Sequence, residues 1–169
     1  MISIRDETPR DQNDIRCLVR HAFSCDDEAE LIDSLRADHD LELSLVALDN
    51  GDIIGHIAFS TMTVSGDGQD IRALALAPVA VSPTRQREGI GSALIKQGLA
   101  KAVSAGAEMV FVLGDPDYYN RFGFTRENAK PFACVYAGPY FQACLLGKAM
   151  NLPNEGKAVY APGFAGLGG

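Results

Sequence analysis

The sequence predicts an α/β (α+β) fold with a mixed central sheet, and two observations carry this prediction. Two apolar or alternating runs, residues 43–48 and 53–59, are joined by the turn sequence Asp-Asn-Gly-Asp, which predicts an antiparallel hairpin. Residues 74–113 then follow the order buried strand, helix, buried strand, which predicts a right-handed parallel crossover. The 169 residues fit a single domain, with a C-terminal extension over residues 150–169.

A short strand and two helices are predicted before this hairpin. Residues 2–4 alternate as a strand does, and Thr8-Pro9 supplies a helix cap followed by a first-turn proline. Five apolar residues then recur at helical spacing, namely Ile15, Leu18, Val19, Ala22 and Phe23. A second helix is predicted at about 26–37. Its acidic first turn suits the helix dipole and predicts a solvated, well-capped helix start.

The stretch from residue 74 to residue 95 predicts an anion site. The wholly apolar run 74–81 predicts a strand buried on both faces, and a polar turn that carries Arg85 and Arg87 follows it. Gly89 and Gly91 then lead into a helix predicted at 92–103. The first turn of a helix has unpaired N–H groups and a partial positive charge, and glycine lets a phosphate approach that backbone closely. We expect the two arginines to add charge and bidentate donors.

The spacing of the turn selects among the known phosphate-binding signatures. A Walker loop needs Lys-Ser/Thr after its last glycine, and Ser92-Ala93 stands there. The dinucleotide fingerprint needs a small residue where Leu94 stands. The remaining pattern, Gln86-x-x-Gly89-x-Gly91, is similar to the pyrophosphate-binding signature Arg/Gln-x-x-Gly-x-Gly/Ala of the GCN5-related N-acetyltransferases, the GNAT family.

A second motif lies in register with the first. Residues 109–113 predict another buried strand, which Asp115-Pro116 ends. The following segment, Tyr119-x-x-x-Gly123-Phe124, matches the Tyr-x-x-x-Gly-Phe of the same family at the same distance after the glycine turn. The chain is therefore identified as a member of that family by resemblance. This resemblance covers about residues 1–147, and its specific motifs lie between residues 79 and 124.

The resemblance implies a fold and a coenzyme. The GNAT fold has about seven strands and about four flanking helices, with a splay between strands four and five where acetyl-CoA lies. Pro78 fits this implication because proline inside a sheet marks an edge or a bulge, although it is also compatible with a strand that ends there. The residues implied in coenzyme binding are Val79, Ala80, Val81, Gln86, Arg87, Glu88, Gly89, Ile90, Gly91, Ser92 and Tyr119.

The resemblance also implies catalytic roles. The backbone N–H of Val79 is the candidate donor to the thioester carbonyl, as in an oxyanion hole. Tyr119 is the candidate general acid for the departing thiolate, and packing of its ring is the alternative; Tyr118 is its one-residue neighbour. No acidic residue lies between Arg72 and Val81, so the general base stays open among the candidates Asp70, His56, Asp115 and water.

Two functions follow from these residues. The first is an acetyl-CoA-dependent N-acetyltransferase that transfers the acetyl group directly to a primary amine of a small molecule or peptide, and Tyr119 favours it. The second is a catalytically silent acyl-CoA-binding sensor or regulatory module, which the missing strand-four acid favours. An acetyltransferase that acts on charged tRNA is disfavoured by the net charge of −7, because a nucleic-acid surface needs clustered Lys and Arg.

Composition and termini restrict the setting. No signal peptide and no apolar stretch of membrane-spanning length is apparent, so we expect a cytoplasmic protein without membrane partners. The four cysteines lack ligand-like spacing, which predicts free thiols and no metal site. Members of the family often pair, so a homodimer is expected.

After Phe124 the sequence predicts a loop at 126–131 and a closing hairpin of 132–136 with 140–146. Residues 151–169 are rich in turn residues, and the end, 163–169, is expected to be frayed. Tyr160 and Phe164 are expected to pack against a surface that the sequence does not identify.

Overall fold

The computed structural model describes residues 1–147 and 151–166. In this part of the chain a mixed, mostly antiparallel sheet is flanked by helices, which confirms the predicted fold class. The strands are β1 (Ile2–Asp6), β2 (Leu41–Asp49), β3 (Asp52–Gly66), β4 (Gln69–Ile71), β5 (Ala73–Val81), β6 (Met109–Leu113), β7 (Phe132–Ala133), β8 (Phe141–Leu145) and β9 (Gly156–Tyr160). The α-helices are α1 (Gln12–Phe23), α2 (Asp27–Ala37), α3 (Ile90–Ser104), α4 (Pro116–Tyr119) and α5 (Arg126–Ala129).

The chain forms two compact units. The first comprises Met1–Ser60, Ala77–Gly98 and Pro162–Gly169, and the second comprises Thr61–Leu76 and Leu99–Ala161. Three elements, β3, β5 and α3, run from one unit into the other. The organisation of the whole chain as a single domain stays a prediction.

In the first unit, β1 pairs antiparallel with β2, and β2 pairs antiparallel with β3. The predicted hairpin turn is confirmed, because Asp49 pairs with Asp52 while Asn50 and Gly51 both have positive φ, 52° and 85°. Helices α1 and α2 cover one face of these strands. Their apolar residues pack with Val46 and Ala80 in one buried cluster, whose helical members are Ile15, Val19, Ala29 and Ile32.

Helix α3 approaches β3 closely through two glycines. A Cβ atom added at Gly98 would lie 2.7 Å from Cζ of Phe59, and one added at Gly55 would lie 3.0 Å from side-chain atoms of Ile90 and Leu94. No larger residue fits these positions without a shift of its neighbours. Helix α3 begins at Ile90, two residues before the predicted start.

In the second unit, β5 and β6 pair in parallel, as the crossover predicts. Their register consists of three pairs, Ala73–Ala75 with Met109–Phe111, and this short register agrees with the splay implied between these two strands. The predicted closing hairpin is wrong. β8 pairs antiparallel with β6, whereas β7 pairs in parallel with β9. Phe132 of β7 packs edge-on against Phe111, so burial of this ring outweighs pairing with its sequence neighbour.

Two short elements replace predicted loops. The turn predicted at 65–70 is only Asp67-Gly68, with φ of 50° and 82°, because β3 extends to Gly66 and β4 begins at Gln69. The loop predicted at 126–131 contains α5, whose N-cap Thr125 accepts a hydrogen bond from the N–H of Asn128. Both elements are too short for a periodic pattern to show them. The described residues form nine strands instead of about seven, and the two additional strands are β4 and β9.

The two late aromatic residues pack in different units. Tyr160 lies edge-on to Tyr136, with ring centroids 5.1 Å apart. Phe164 is buried in the 3₁₀ turn Pro162–Gly166, where a Cβ atom at Gly163 would lie 3.4 Å from Leu35 of α2. The fraying expected at 163–169 is therefore wrong for residues 163–166, while residues 148–150 and 167–169 lie outside the described residues. None of the helices in the described ranges has the length and apolar character of a membrane span.

Candidate active site

The carboxyl-terminal half of β5 has one buried and one partly exposed face. The strand continues through Pro78 to Val81, so the alternative that it ends at Pro78 is wrong, while the bulge itself stays a prediction. Pro78 and Ala80 are buried, and Ala80 joins the cluster under α1 and α2. Ala77, Val79 and Val81 are partly exposed on the other face, where a ligand can reach the strand.

The glycine turn after β5 caps α3. Gly89 has a φ of +82°, and its carbonyl oxygen accepts a hydrogen bond from the N–H of Ala93 at 3.0 Å, which makes Gly89 the N-cap. Ile90, Gly91 and Ser92 thus form the first helical turn, and the helix itself offers no acceptor to the N–H groups of Ile90 and Gly91. A Cβ atom at Gly89 would meet no other atom within 4 Å, so the turn is open on that side. These features fit a bound phosphate.

Only one of the two arginines of the turn is available for a phosphate, although both were expected to be. Arg85 donates to both carboxylate oxygens of Glu88, at 3.0 and 3.2 Å, and to Asp49 at 3.0 Å. Its pKa is raised by these pairs, and the pKa of Asp49 is lowered by Arg85. Arg85 therefore ties the turn to the β2–β3 hairpin instead of facing a ligand. Arg87, exposed and with a φ of +68°, is the remaining arginine for a phosphate.

The structure brings the predicted coenzyme residues of the first unit together. The side-chain amide of Gln86 donates to the carbonyl oxygen of Val81 at 3.4 Å, which links the turn to the end of β5. This weak bond partly occupies the carbonyl oxygen of Val81, one of the residues implied in coenzyme binding. The side chain of Glu88 is held by Arg85, so only its backbone is available for the predicted role.

Tyr119, in the second unit, has a rigid apolar environment. It ends α4, whose N-cap Asp115 accepts from the N–H of Asp117 at 3.0 Å. Its side chain is 9% exposed and stacks edge-on with Tyr118 and Phe124. Burial, with a smaller contribution from Tyr118, raises the pKa of Tyr119 to about 12. The phenol therefore keeps its proton at neutral pH, which is the form that a general acid requires.

Tyr118 has a different environment from its neighbour. It is half-buried, and the guanidinium of Arg121 lies 4.8 Å from the centroid of its ring. The Nε–H of Arg121 also donates to the carbonyl oxygen of Tyr118 at 3.3 Å. The two tyrosines are thus distinguishable by burial, although the catalytic role of either one stays a prediction.

His56 is unsuited to act as the general base. It is fully buried in β3, and its Nε2 lies 2.8 Å from Oγ of Ser44, whose hydroxyl donates in turn to Glu7. Ser44 therefore accepts from Nε2–H, and the imidazole is neutral. Burial, with a smaller contribution from the charge of Arg36, lowers the pKa of His56 to about 3. Arg36 closes the network by donating to both oxygens of Glu7, at 3.0 and 2.9 Å.

The two acidic candidates are no better placed. The carboxylate of Asp115 is engaged as the N-cap of α4. Asp70 is exposed on β4, where it pairs with Ser65 of β3. Neither carboxylate is enclosed in a pocket where it could take a proton from a bound amine.

Comparison with known proteins places this chain in a family. The Acetyltransferase (GNAT) domain family matches residues 3–126. The uncharacterized N-acetyltransferase YhbS of Escherichia coli (strain K12) is 38% identical over 136 residues, 80% of this chain and 80% of YhbS. YhbS of Escherichia coli has also been solved in complex with CoA. That structure is 34% identical, with a TM-score of 0.87 over 99% of this chain and 93% of the other.

A second solved structure agrees with the first. A GNAT family acetyltransferase from Brucella melitensis in complex with acetyl-CoA is 39% identical, with a TM-score of 0.80 over 97% of this chain and 98% of the other. The chain belongs to the GNAT family of acetyltransferases.

Sequence reasoning missed one buried polar residue beside Tyr119. Gln142 lies in β8 and is fully buried, and its side-chain amide donates to the carbonyl oxygen of Gly114 at 3.1 Å. Gly114 is also the residue against which the ring of Tyr119 packs. The signal was present in the sequence, because Gln142 is the one polar residue in the run 141–146.

Proposed function

We propose that this protein is an acetyl-CoA-dependent N-acetyltransferase that transfers an acetyl group directly to a primary amine of a small molecule or a peptide. The observation that carries the proposal is the open, Gly89-capped N-terminus of α3 directly after β5. Membership of the GNAT family supports it, as do the relatives solved with acetyl-CoA and with CoA.

In this proposal the first unit binds the coenzyme. The N–H groups of Ile90, Gly91 and Ser92 and the guanidinium of Arg87 bind the pyrophosphate. The partly exposed face of β5, from Val79 to Val81, binds the pantetheine arm. The side chains of Arg85 and Glu88 hold the shape of the turn, because they pair with each other.

The reaction then needs two groups of the protein. The N–H of Val79 donates to the thioester carbonyl and stabilises the negative charge that forms on its oxygen. The neutral amine attacks the carbonyl carbon, so that a C–N bond forms and the C–S bond breaks. Tyr119 donates its phenolic proton to the departing thiolate and is reprotonated from solvent. The proton that the amine loses passes to water, since none of the three candidate side chains is placed to take it.

A silent acyl-CoA-binding module is the second candidate function. It is favoured by the lack of an acidic side chain in β5 and by the neutral, enclosed state of His56. Such a module would bind acetyl-CoA through the same turn and release no thiol in the presence of amines.

Release of free thiol from acetyl-CoA, measured across a panel of primary amines and peptides, separates the two functions. We expect at least one amine to raise thiol release above the rate without amine and to yield an acetylated product by mass spectrometry. Calorimetric binding of acetyl-CoA together with no acetylated product from any amine would instead establish the silent module. If acetyl-CoA does not bind, both functions fail.

A further inference from the structure

The side-chain amide of Gln142 has a single orientation. Its Nε2 faces two carbonyl oxygens, that of Gly114 at 3.1 Å and that of Tyr140 at 3.4 Å. Only the NH₂ group of an amide can donate to a carbonyl, so the exchange of nitrogen and oxygen is excluded here. The position of Oε1 follows from these two bonds.

Oε1 of Gln142 is buried and has no hydrogen-bond partner among the described residues. A buried acceptor without a donor costs free energy, whereas an apolar side chain of the same length would not carry this cost. Its neighbours in β8, Phe141 and Ala143, are apolar and fully or nearly fully buried. The hydrogen bonds that the amide donates to Gly114 and Tyr140 must offset this cost, so what the glutamine contributes to this strand is its hold on the backbone at Gly114.

Gly114 connects Gln142 with Tyr119. A Cβ atom at Gly114 would lie 2.9 Å from Cδ2 of Tyr119, so the phenol ring rests directly on the glycine backbone. Gln142 holds the carbonyl oxygen of the same glycine, and the N–H of Gly114 donates to the carbonyl oxygen of Tyr140 at 3.1 Å. The N–H and the carbonyl of Gly114 are thus both held by hydrogen bonds, one to Tyr140 just before β8 and one from Gln142 in β8.

We propose that Gln142 is a positioning residue for Tyr119. It clamps the end of β6 at Gly114, immediately before the cap of α4, and so sets the place of the phenol that α4 carries. This inference rests on the proposed function, in which Tyr119 is the general acid. Gln142 acts through Gly114 and contacts neither the thioester nor the amine.

A double-mutant cycle on turnover tests the proposal. Gln142→Met replaces the amide by an apolar side chain of similar length, and Tyr119→Phe removes the hydroxyl. We expect Gln142→Met to lower kcat by about tenfold or more, since small misplacements of a catalytic group are costly, while the Kd for acetyl-CoA stays within about twofold. In the Tyr119→Phe background Gln142→Met has no further effect, because the group that it positions is gone. Gln97→Met, on the exposed face of α3, is the matched control.

Each result decides a separate point. If Gln142→Met leaves kcat unchanged, or if the two effects multiply in the double variant, the positioning role is overturned while the proposed function stands. If Tyr119→Phe alone keeps full turnover, the acid role fails and the positioning role fails with it. Circular dichroism confirms that each variant is folded, and Gln142→Leu replaces Gln142→Met in the cycle if the latter does not fold.

Discussion

Two adjacent tyrosines at the end of α4 differ in burial although their side chains are identical. Tyr119 is 9% exposed and rests on Gly114, whereas Tyr118 is half-buried beneath the guanidinium of Arg121. Burial raises the pKa of Tyr119 to about 12, so its phenol stays protonated throughout the range in which amines lose their protons. An acid that keeps its proton while the nucleophile has lost its own suits acetyl transfer to an amine.

These pKa values predict the pH dependence of the reaction. Because no side-chain base is assigned, kcat/KM for the amine should rise about tenfold per pH unit until the pH reaches the pKa of the amine itself. A raised pKa of about 12 keeps Tyr119 protonated below that pH, so no decline is expected up to about pH 10. Initial rates with a single amine between about pH 6 and pH 10 measure both features.

Two other shapes of the pH–rate profile would contradict these assignments. A plateau that begins well below the pKa of the amine would reveal a protein base and would contradict the assignment of water. A decline between about pH 8 and pH 10 would show an acid that loses its proton earlier than Tyr119 does. His56→Gln is the matched variant for the first case, and we expect the shape of its profile to match that of the wild type because the imidazole is neutral throughout this range.

At the scale of elements, local sequence signals were sufficient to predict most of the strands, turns and helices around the candidate site. The turn Asp-Asn-Gly-Asp, the apolar run of β5 and the two glycines at the start of α3 each act within a few residues. The structure has the hairpin and the order of strand, turn and helix that these signals predict, with α3 beginning two residues earlier. The partners of β7 and β8 could not be predicted in this way. Phe132 pairs with Gly156, far along the chain, and burial of its ring selects this partner.

The glycine turn is tested by Gly91→Val. Valine adds a side chain in the first turn of α3, where the proposal places the pyrophosphate, so the affinity for acetyl-CoA should fall. We expect a loss of about 1 kcal/mol or more, about fivefold or more in Kd, measured by calorimetry.

Gln97→Val places the same residue on the exposed face of the same helix and controls for the poorer helix propensity of valine. Its Kd should equal that of the wild type. An unchanged affinity in folded Gly91→Val would mean that the pyrophosphate binds elsewhere.

At the scale of the whole molecule, exposed apolar side chains predict association. In the second unit Val135 is 91% exposed and Tyr140 62%, with Leu113 and Val159 at 41% and 44%. We propose a homodimer, and these side chains are candidates for its interface. Light scattering at micromolar concentration should give twice the monomer mass of 18.1 kDa. A mass of 18.1 kDa under these conditions would rule the dimer out.

The acceptor is the part of the function that the residues least define. The net charge of −7 is compatible with a cationic amine but is equally explained by solubility. The proposed roles of Val79 and Tyr119 follow from motifs in the sequence. The proposed role of Gln142 follows only from its contact with Gly114, because the strand pairing that brings these two residues together is long-range. The acceptor must therefore be identified by the thiol-release assay with a panel of amines.

The most direct test of the account is turnover of Tyr119→Phe beside Tyr118→Phe, with one amine substrate and with chemistry as the rate-limiting step. Tyr119→Phe keeps the ring on Gly114 and removes the proton donor, so kcat should fall about a hundredfold while the Kd for acetyl-CoA is unchanged. Tyr118→Phe should keep kcat within about twofold of the wild type. Full turnover in Tyr119→Phe would contradict the account, because the thiolate would then leave without this acid. A loss confined to Tyr118→Phe would show that Tyr118, and not Tyr119, is the general acid.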